Sequence, residues 1–150
     1  MKNTFIRNIV FLLVLFLSRI VLSHGTVIIT NAEHNKGYID VKIYDSKDTF
    51  LEEDKAIEVV RKKSTKGEVV IPLSKVHEGQ IAIVVYHDED GDGELKTGFF
   101  WRPKEGFAFS NNYQPKGPPK FSKASINLVH GEPVYICLLY TSDAADEHTG

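Results

Sequence analysis

Tyr38-Ile39-Asp40-Val41-Lys42-Ile43-Tyr44 sets Ile39, Val41 and Ile43 on one face of an extended chain and Asp40 and Lys42 on the other. A period of two is what a β-strand with one buried face requires, and a helix cannot satisfy it. Working outward, Thr26–Asn31 is apolar and β-branched, and Asn35-Lys36-Gly37 between the two runs is turn chemistry, so the pair reads as a hairpin. Ala56–Lys62 and Glu68–Leu73 are two further strands across Ser64-Thr65-Lys66-Gly67. Gln80–Tyr86 is apolar throughout, as expected of a central strand, and Ala124–Leu128 and Pro133–Leu139 complete the set around Gly131. About seven short strands, frequent turns and a helical turn at most around Phe50 and Leu51 predict an all-β, single-domain sandwich over residues 24–140.

The flanks carry different information. Lys2 and Arg7 precede an apolar run from Ile9 to Leu17, and Val21-Leu22-Ser23 has the small or apolar residues of a cleavage site, so residues 1–23 read as a signal peptide. Arg19 cuts the run short of the ~20 residues a bilayer core demands, so no stable membrane span is expected after cleavage. Export to the medium, periplasm or cell envelope follows. Removing residues 1–23 takes away three positive charges and no negative ones, moving the formal charge from −2 to −5. An acidic surface does not suit nucleic acid. Cys137 is the only cysteine, which excludes an intrachain disulfide, and its apolar setting reads as a buried small hydrophobe. Residues 141–150 lack apolar periodicity and are expected to be disordered, and Leu139–Glu147 resembles translated sequencing-adaptor read-through.

Two neighbouring stretches carry the candidate chemistry. In His87-Asp88-Glu89-Asp90-Gly91-Asp92-Gly93-Glu94-Leu95, the aspartates take alternate positions and glycine follows the third. That matches positions 1, 3, 5 and 6 of a calcium loop, with the Glu94 backbone carbonyl at position 7 and Leu95 at position 8. Position 12 is Phe99 instead of a bidentate glutamate, and a strand leads in, so the loop is not an EF-hand. A calcium loop on another fold needs its last carboxylate from elsewhere, and Glu105 is nearest in sequence. The expected Ca2+ affinity is weak, ~10⁻⁴–10⁻³ M as in extracellular modules. A solvated acidic turn is the plainer reading, since Asp-Gly is ordinary turn chemistry.

The second stretch, Phe99–Phe121, holds seven of the sixteen aromatics, too many for a plain connector. Most are expected to fold back over one open end of the sandwich as a satellite core. Trp101 and Tyr113, beside Arg102, Asn111 and Asn112, are the candidates for an exposed glycan- or peptide-binding surface. Ser110-Asn111-Asn112 also reads as a tight turn. Catalytic readings draw on the same residues. His87, Asp88 and Glu105 could form an acid–base set of a small hydrolase. A copper-chelating terminus at His24 would need a second histidine from His34, His77, His87 or His130, each of which alone reads as a surface or strand-end residue. No nucleophile elbow, P-loop or zinc-spaced cluster is present.

His87–Leu95, Pro103-Lys104-Glu105-Gly106-Phe107, Phe109-Ser110-Asn111-Asn112, Pro118-Pro119-Lys120-Phe121 and the last strand ending at Leu139-Tyr140 together resemble the domain-of-unknown-function family numbered 2141. The resemblance covers most of residues 26–140. It implies an exported, mainly bacterial β-sandwich of the immunoglobulin or transthyretin-like sort, with no established activity. Trp101-Arg102, where the family is smaller and glycine-containing, and Ala108, where glycine is usual, depart from its pattern. The expectation is a secreted, non-catalytic module of unknown extracellular ligand, steadied by Ca2+ at Asp88, Asp90, Asp92, Glu94 and Glu105. The alternative is a small extracellular hydrolase using the carboxylates of the same loops.

Overall fold

The computed structural model describes residues 25–93 and 105–140. Two sheets face each other. The smaller has the order β4 (Gly67–Pro72), β1 (Thr26–Ala32), β8 (Pro133–Cys137), with β1 antiparallel to β4 and parallel to β8. The larger runs β3 (Glu58–Lys63), β2 (Tyr38–Tyr44), β5 (Gly79–Asp88). The far edge of β5 is shared end to end by β7 (Ser125–Leu128), paired with Gly79–Ala82, and β6 (Phe107–Phe109), paired with Val84–Tyr86. The chain is thus an all-β sandwich. Among the described residues no helix is long and apolar enough to cross a membrane.

Alternation builds the core. Val27, Ile29, Val69, Ile71 and Ile136 of the small sheet meet Ile39, Val41, Ile43, Ile81, Ile83 and Val85 of the large one, and all are buried. Each such side chain removed from water stabilises the fold by about 1.5–3 kcal/mol. On β5 every residue from Ile81 to Asp88 is buried, because its outer face is covered too. Tyr44, Ala82 and Val84 on that face lie under Phe109, with Phe50, Phe107, Tyr113 and Phe121 packed around them. The aromatic segment therefore folds back as a satellite core, over the outer face of the large sheet instead of an open end of the sandwich.

Three expectations need correction. β1 and β2 are not a hairpin. Both edges of β1 are occupied, by β4 and β8, so the Asn35-Lys36-Gly37 turn carries the chain across to the other sheet. Gly37 has φ +63° there, and a Cβ would stand 1.8 Å from the Asp88 carbonyl oxygen, so only glycine allows this close passage. Cys137 is exposed, because alternation in β8 turns Ile136 inward and Cys137 outward. Among the described residues the strands number eight against about seven expected, the addition being β6, three residues that neither composition nor turn signals mark out. Ala108 sits buried in β6 without a positive φ, so the departure from glycine there is harmless. The helical turn expected near Phe50 and Leu51 is an irregular turn with Leu51 at φ +71°, followed by one 3-10 turn, Glu53–Lys55. The signal peptide, the tail and His24 lie outside the described residues.

Candidate functional site

Strand β5 delivers Asp88 to the rim of the sandwich, where it is fully buried. Its Oδ1 accepts the Gly91 N–H at 2.8 Å and its Oδ2 the Gly93 N–H at 2.9 Å. These two bonds wind the acidic loop around the carboxylate, and Gly91 and Gly93, with φ +80° and +83°, supply the left-handed turns this needs. Oδ2 also takes Arg61 Nη2 at 2.5 Å, while Arg61 Nη1 reaches Asp40 Oδ2 at 2.8 Å. Strand register explains the fork: Asp40 on β2 lies directly opposite Arg61 on β3, and Tyr38 is opposite Asp88 on β5. The guanidinium rests on the Tyr38 ring, 4.4 Å from its centroid.

The two carboxylates on Arg61 behave oppositely. Burial pushes the Asp88 carboxyl up, but Arg61 and the two backbone donors outweigh it and hold the group below its ordinary value. For Asp40 burial wins over Arg61, with the Asp88 charge adding to it, and the carboxyl lies above its ordinary value.

Glu105 comes back to this rim from the far side of the excursion. It is buried, and its Oε1 accepts the Glu89 N–H at 3.2 Å. Asp88, Asp90 and Glu105 can each place one carboxylate oxygen within 4.8 Å of the others. Two oxygens on one calcium ion lie no further than about 5 Å apart, given bonds of 2.3–2.6 Å. The donor set is therefore hard oxygen at a spacing that suits Ca2+. Asp88 Oδ2 is committed to Arg61 and Gly93, which leaves Oδ1 the better placed oxygen. Asp92 is not in this group; its backbone N–H donates to Asp90 Oδ1 at 3.3 Å. Glu94 lies outside the described residues, as do Trp101 and Arg102.

His87, read as a surface or strand-end residue, stands one residue before the end of β5 and is fully buried, because alternation puts it on the core-facing side with Ile83 and Val85. Its Nε2 is 2.7 Å from the Lys36 carbonyl oxygen, which can only accept, so Nε2 carries a proton. Its Nδ1 is 2.8 Å from the Tyr140 hydroxyl, which also accepts the Glu33 N–H at 3.1 Å. Burial pushes the Tyr140 phenol up to about 12, so the hydroxyl keeps its proton. Both ring nitrogens are thus partnered, and the imidazole ties the 33–37 crossover to Tyr140, just beyond the end of β8.

The proposed ligand contacts are placed as follows. Tyr113, expected as an exposed contact, is half-buried with its ring 5.7 Å from that of Phe109; the apolar cover of β5 claims it. Asn111 and Asn112 are exposed at φ +62° and +50° and form the tight turn, and Asn111 Nδ2 donates to the Lys123 carbonyl at 3.0 Å. Ser110, buried under this turn, accepts the Ile83 N–H at 2.8 Å and donates to the Ala124 carbonyl at 2.5 Å, pinning the aromatic segment to β5. Short helix α1 (Phe121–Ala124) follows and leads into β7.

Sequence reasoning missed Asp40, Arg61 and Glu58. Glu58, buried at the start of β3, accepts Ser74 N–H and Oγ–H at 2.6 and 2.9 Å, Lys75 N–H at 3.0 Å and Val76 N–H at 2.9 Å. Burial pushes its carboxyl up, yet these donors outweigh that and hold it below its ordinary range. An acid breaking the apolar pattern where a strand begins was the one available signal.

No curated protein and no solved structure matches the chain. Residues 27–136, which span both sheets, the acidic loop and Glu105, match the family described as "Uncharacterized protein conserved in bacteria (DUF2141)", and the chain belongs to that family.

Proposed function

We propose that this chain is an exported, non-catalytic binding module in which Ca2+ at Asp88, Asp90 and Glu105 steadies the acidic loop and the aromatic excursion behind it. The observation that carries the reading is the convergence of three carboxylate oxygens within 4.8 Å, two of the residues buried and one arriving from beyond the loop. Carboxylates this close repel one another, and a shared cation would add to the compensation that Arg61 gives Asp88. The N-terminal sequence pattern supports export. A glycan or peptide would dock on the excursion, with Trp101, Arg102, Asn111, Asn112 and the accessible part of Tyr113 as the candidate contacts.

The rival hydrolase would use Asp88 and Glu105 as an acid–base pair with His87. Against it, Asp88 is held ionised by Arg61 and two backbone donors, and both His87 nitrogens are engaged away from any substrate. The test is a thermal melt with and without millimolar Ca2+. At ten times the dissociation constant a single site adds about 1.4 kcal/mol. For a domain near this size that is roughly 5–8 °C. Asp90→Asn should abolish the rise and Asp92→Asn should keep it. No rise in the unsubstituted protein overturns the calcium reading.

A further inference from the structure

The large sheet ends at β3, which pairs with β2 on one side only. The Ser64 N–H donates to the Gly37 carbonyl at 3.1 Å, and this bond fixes the phase of the ladder. In antiparallel pairing the bonded residues alternate. Lys62 and Val60 therefore turn their backbone groups to β2, and Val59, Arg61 and Lys63 turn theirs outward. Among the described residues nothing bonds those outward groups. The β4 edge of the small sheet is treated differently. The Leu73 N–H donates to the Gly25 carbonyl, so Val70 and Pro72 are the outward residues there. Lys62 Nζ donates to the Val70 carbonyl at 2.7 Å and Pro72 has no N–H, which blunts that edge.

The side chains along β3 decide what fits its open edge. Val59, on the outer face, is 53 % exposed. Lys62, Lys63 and Lys66 are exposed, and none of them forms an ion pair with a described carboxylate. Arg61 is already committed to Asp40 and Asp88. A basic edge stands out on a chain of formal charge −2, which falls to −5 without residues 1–23. A second copy would bring two basic edges together, and like charges across a ladder destabilise it. We propose that the open edge of β3 docks an extended acidic peptide of a partner protein, which adds to the large sheet as its next strand. Backbone pairing supplies affinity, while an apolar side chain beside Val59 and carboxylates beside Lys62 and Lys63 supply selectivity. The outward N–H and C=O groups favour a peptide over any other polyanion, because only a peptide offers the complementary ladder. This surface uses neither the aromatic excursion nor an ion at the acidic loop.

The experiment is fluorescence anisotropy of a labelled peptide titrated with the purified protein in the presence of a chelator. The probe is about eight residues long, enough to make a strand, with glutamates in one half and valine and threonine in the other. It should bind saturably, and the amide resonances of Val59, Arg61 and Lys63 should shift and gain protection from exchange. The amides of Val60 and Lys62, already in the β2 ladder, should be protected with or without it. Reversing two charges with Lys62→Glu and Lys63→Glu should weaken binding about tenfold or more, and so should replacing the peptide's glutamates by lysine. Val59→Pro removes one outward N–H and no β2 ladder bond, so it should weaken binding while β2 pairing stays intact. Binding that responds to the charge reversal but not to Val59→Pro, with the three outward amides unmoved, describes a solvated basic patch and overturns the proposal. No binding at millimolar peptide overturns it as well.

Discussion

Arg61 holds two buried aspartates, and replacing each by asparagine should have unequal consequences. Asp88 Oδ1 and Oδ2 accept three donors at 2.5–2.9 Å, all N–H groups. An amide keeps one accepting oxygen, while its NH2 turns toward at least one of those donors. A buried donor left unsatisfied costs about 1–3 kcal/mol, and loss of the charged partner adds to this, so Asp88→Asn should cost about 2–4 kcal/mol. For a domain near this size that lowers Tm by roughly 8–20 °C. Asp40 has one such bond to Arg61, which an asparagine oxygen can still accept, and its ionised form is disfavoured by burial. Asp40→Asn should therefore change stability by no more than about 1 kcal/mol at neutral pH, in either direction.

The signs with pH are opposite too. Asp88, lowered from 3.8, contributes stability that is present above that value and lost as pH falls through its folded value. Asp40, raised from 3.8, imposes a cost above its folded value that is relieved as pH falls. Thermal melts followed by far-ultraviolet circular dichroism, at neutral pH and stepwise down into the acid range, measure both. Equal losses in the two variants, or a greater loss in Asp40→Asn, would refute the assignment of Asp88 as the loop's anchor.

Other substitutions follow from the same geometry. Gly37→Ala forces a positive φ on alanine and sets its Cβ against the Asp88 backbone, so urea unfolding should show a loss of roughly 3 kcal/mol or more. Glu58→Gln places an NH2 against the Lys75 and Val76 donors and should cost about 2–3 kcal/mol. Because the Glu58 carboxyl is lowered from 4.5, the parent protein should lose that contribution as pH falls below 4.5, and an acid titration of the melt should find the variant flatter there. Phe109→Ala opens the satellite core over Val84 and should cost about 3–5 kcal/mol with β2 pairing intact, read by amide exchange.

How much was legible depended on whether the signal was local. The β2 strand was read with its observed bounds because strict alternation admits one structure, and β5 was read as central because only a doubly covered strand is apolar on both faces. The hairpin reading failed because Asn35-Lys36-Gly37 is locally a turn whatever the next strand pairs with. Cys137 was misplaced for a related reason, and the burial of His87 near the end of β5 was equally invisible. Residue type says little about burial when a strand lies at a sheet edge or carries a second layer. At the acidic loop, spacing pointed to Asp88, Asp90 and the remote Glu105, which the fold brings together, but it could not separate Asp92 from them.

By itself the sequence determined the all-β class, the position of most strands and the family, because hydrophobic period and ordered motif blocks are properties of neighbouring residues. Only the tertiary structure decided which strands share a sheet, that Arg61 bridges Asp40 and Asp88, and that Glu58 caps the Ser74–Val76 turn. Each of those joins residues far apart in the chain through strand register, and register is set by how the whole core closes.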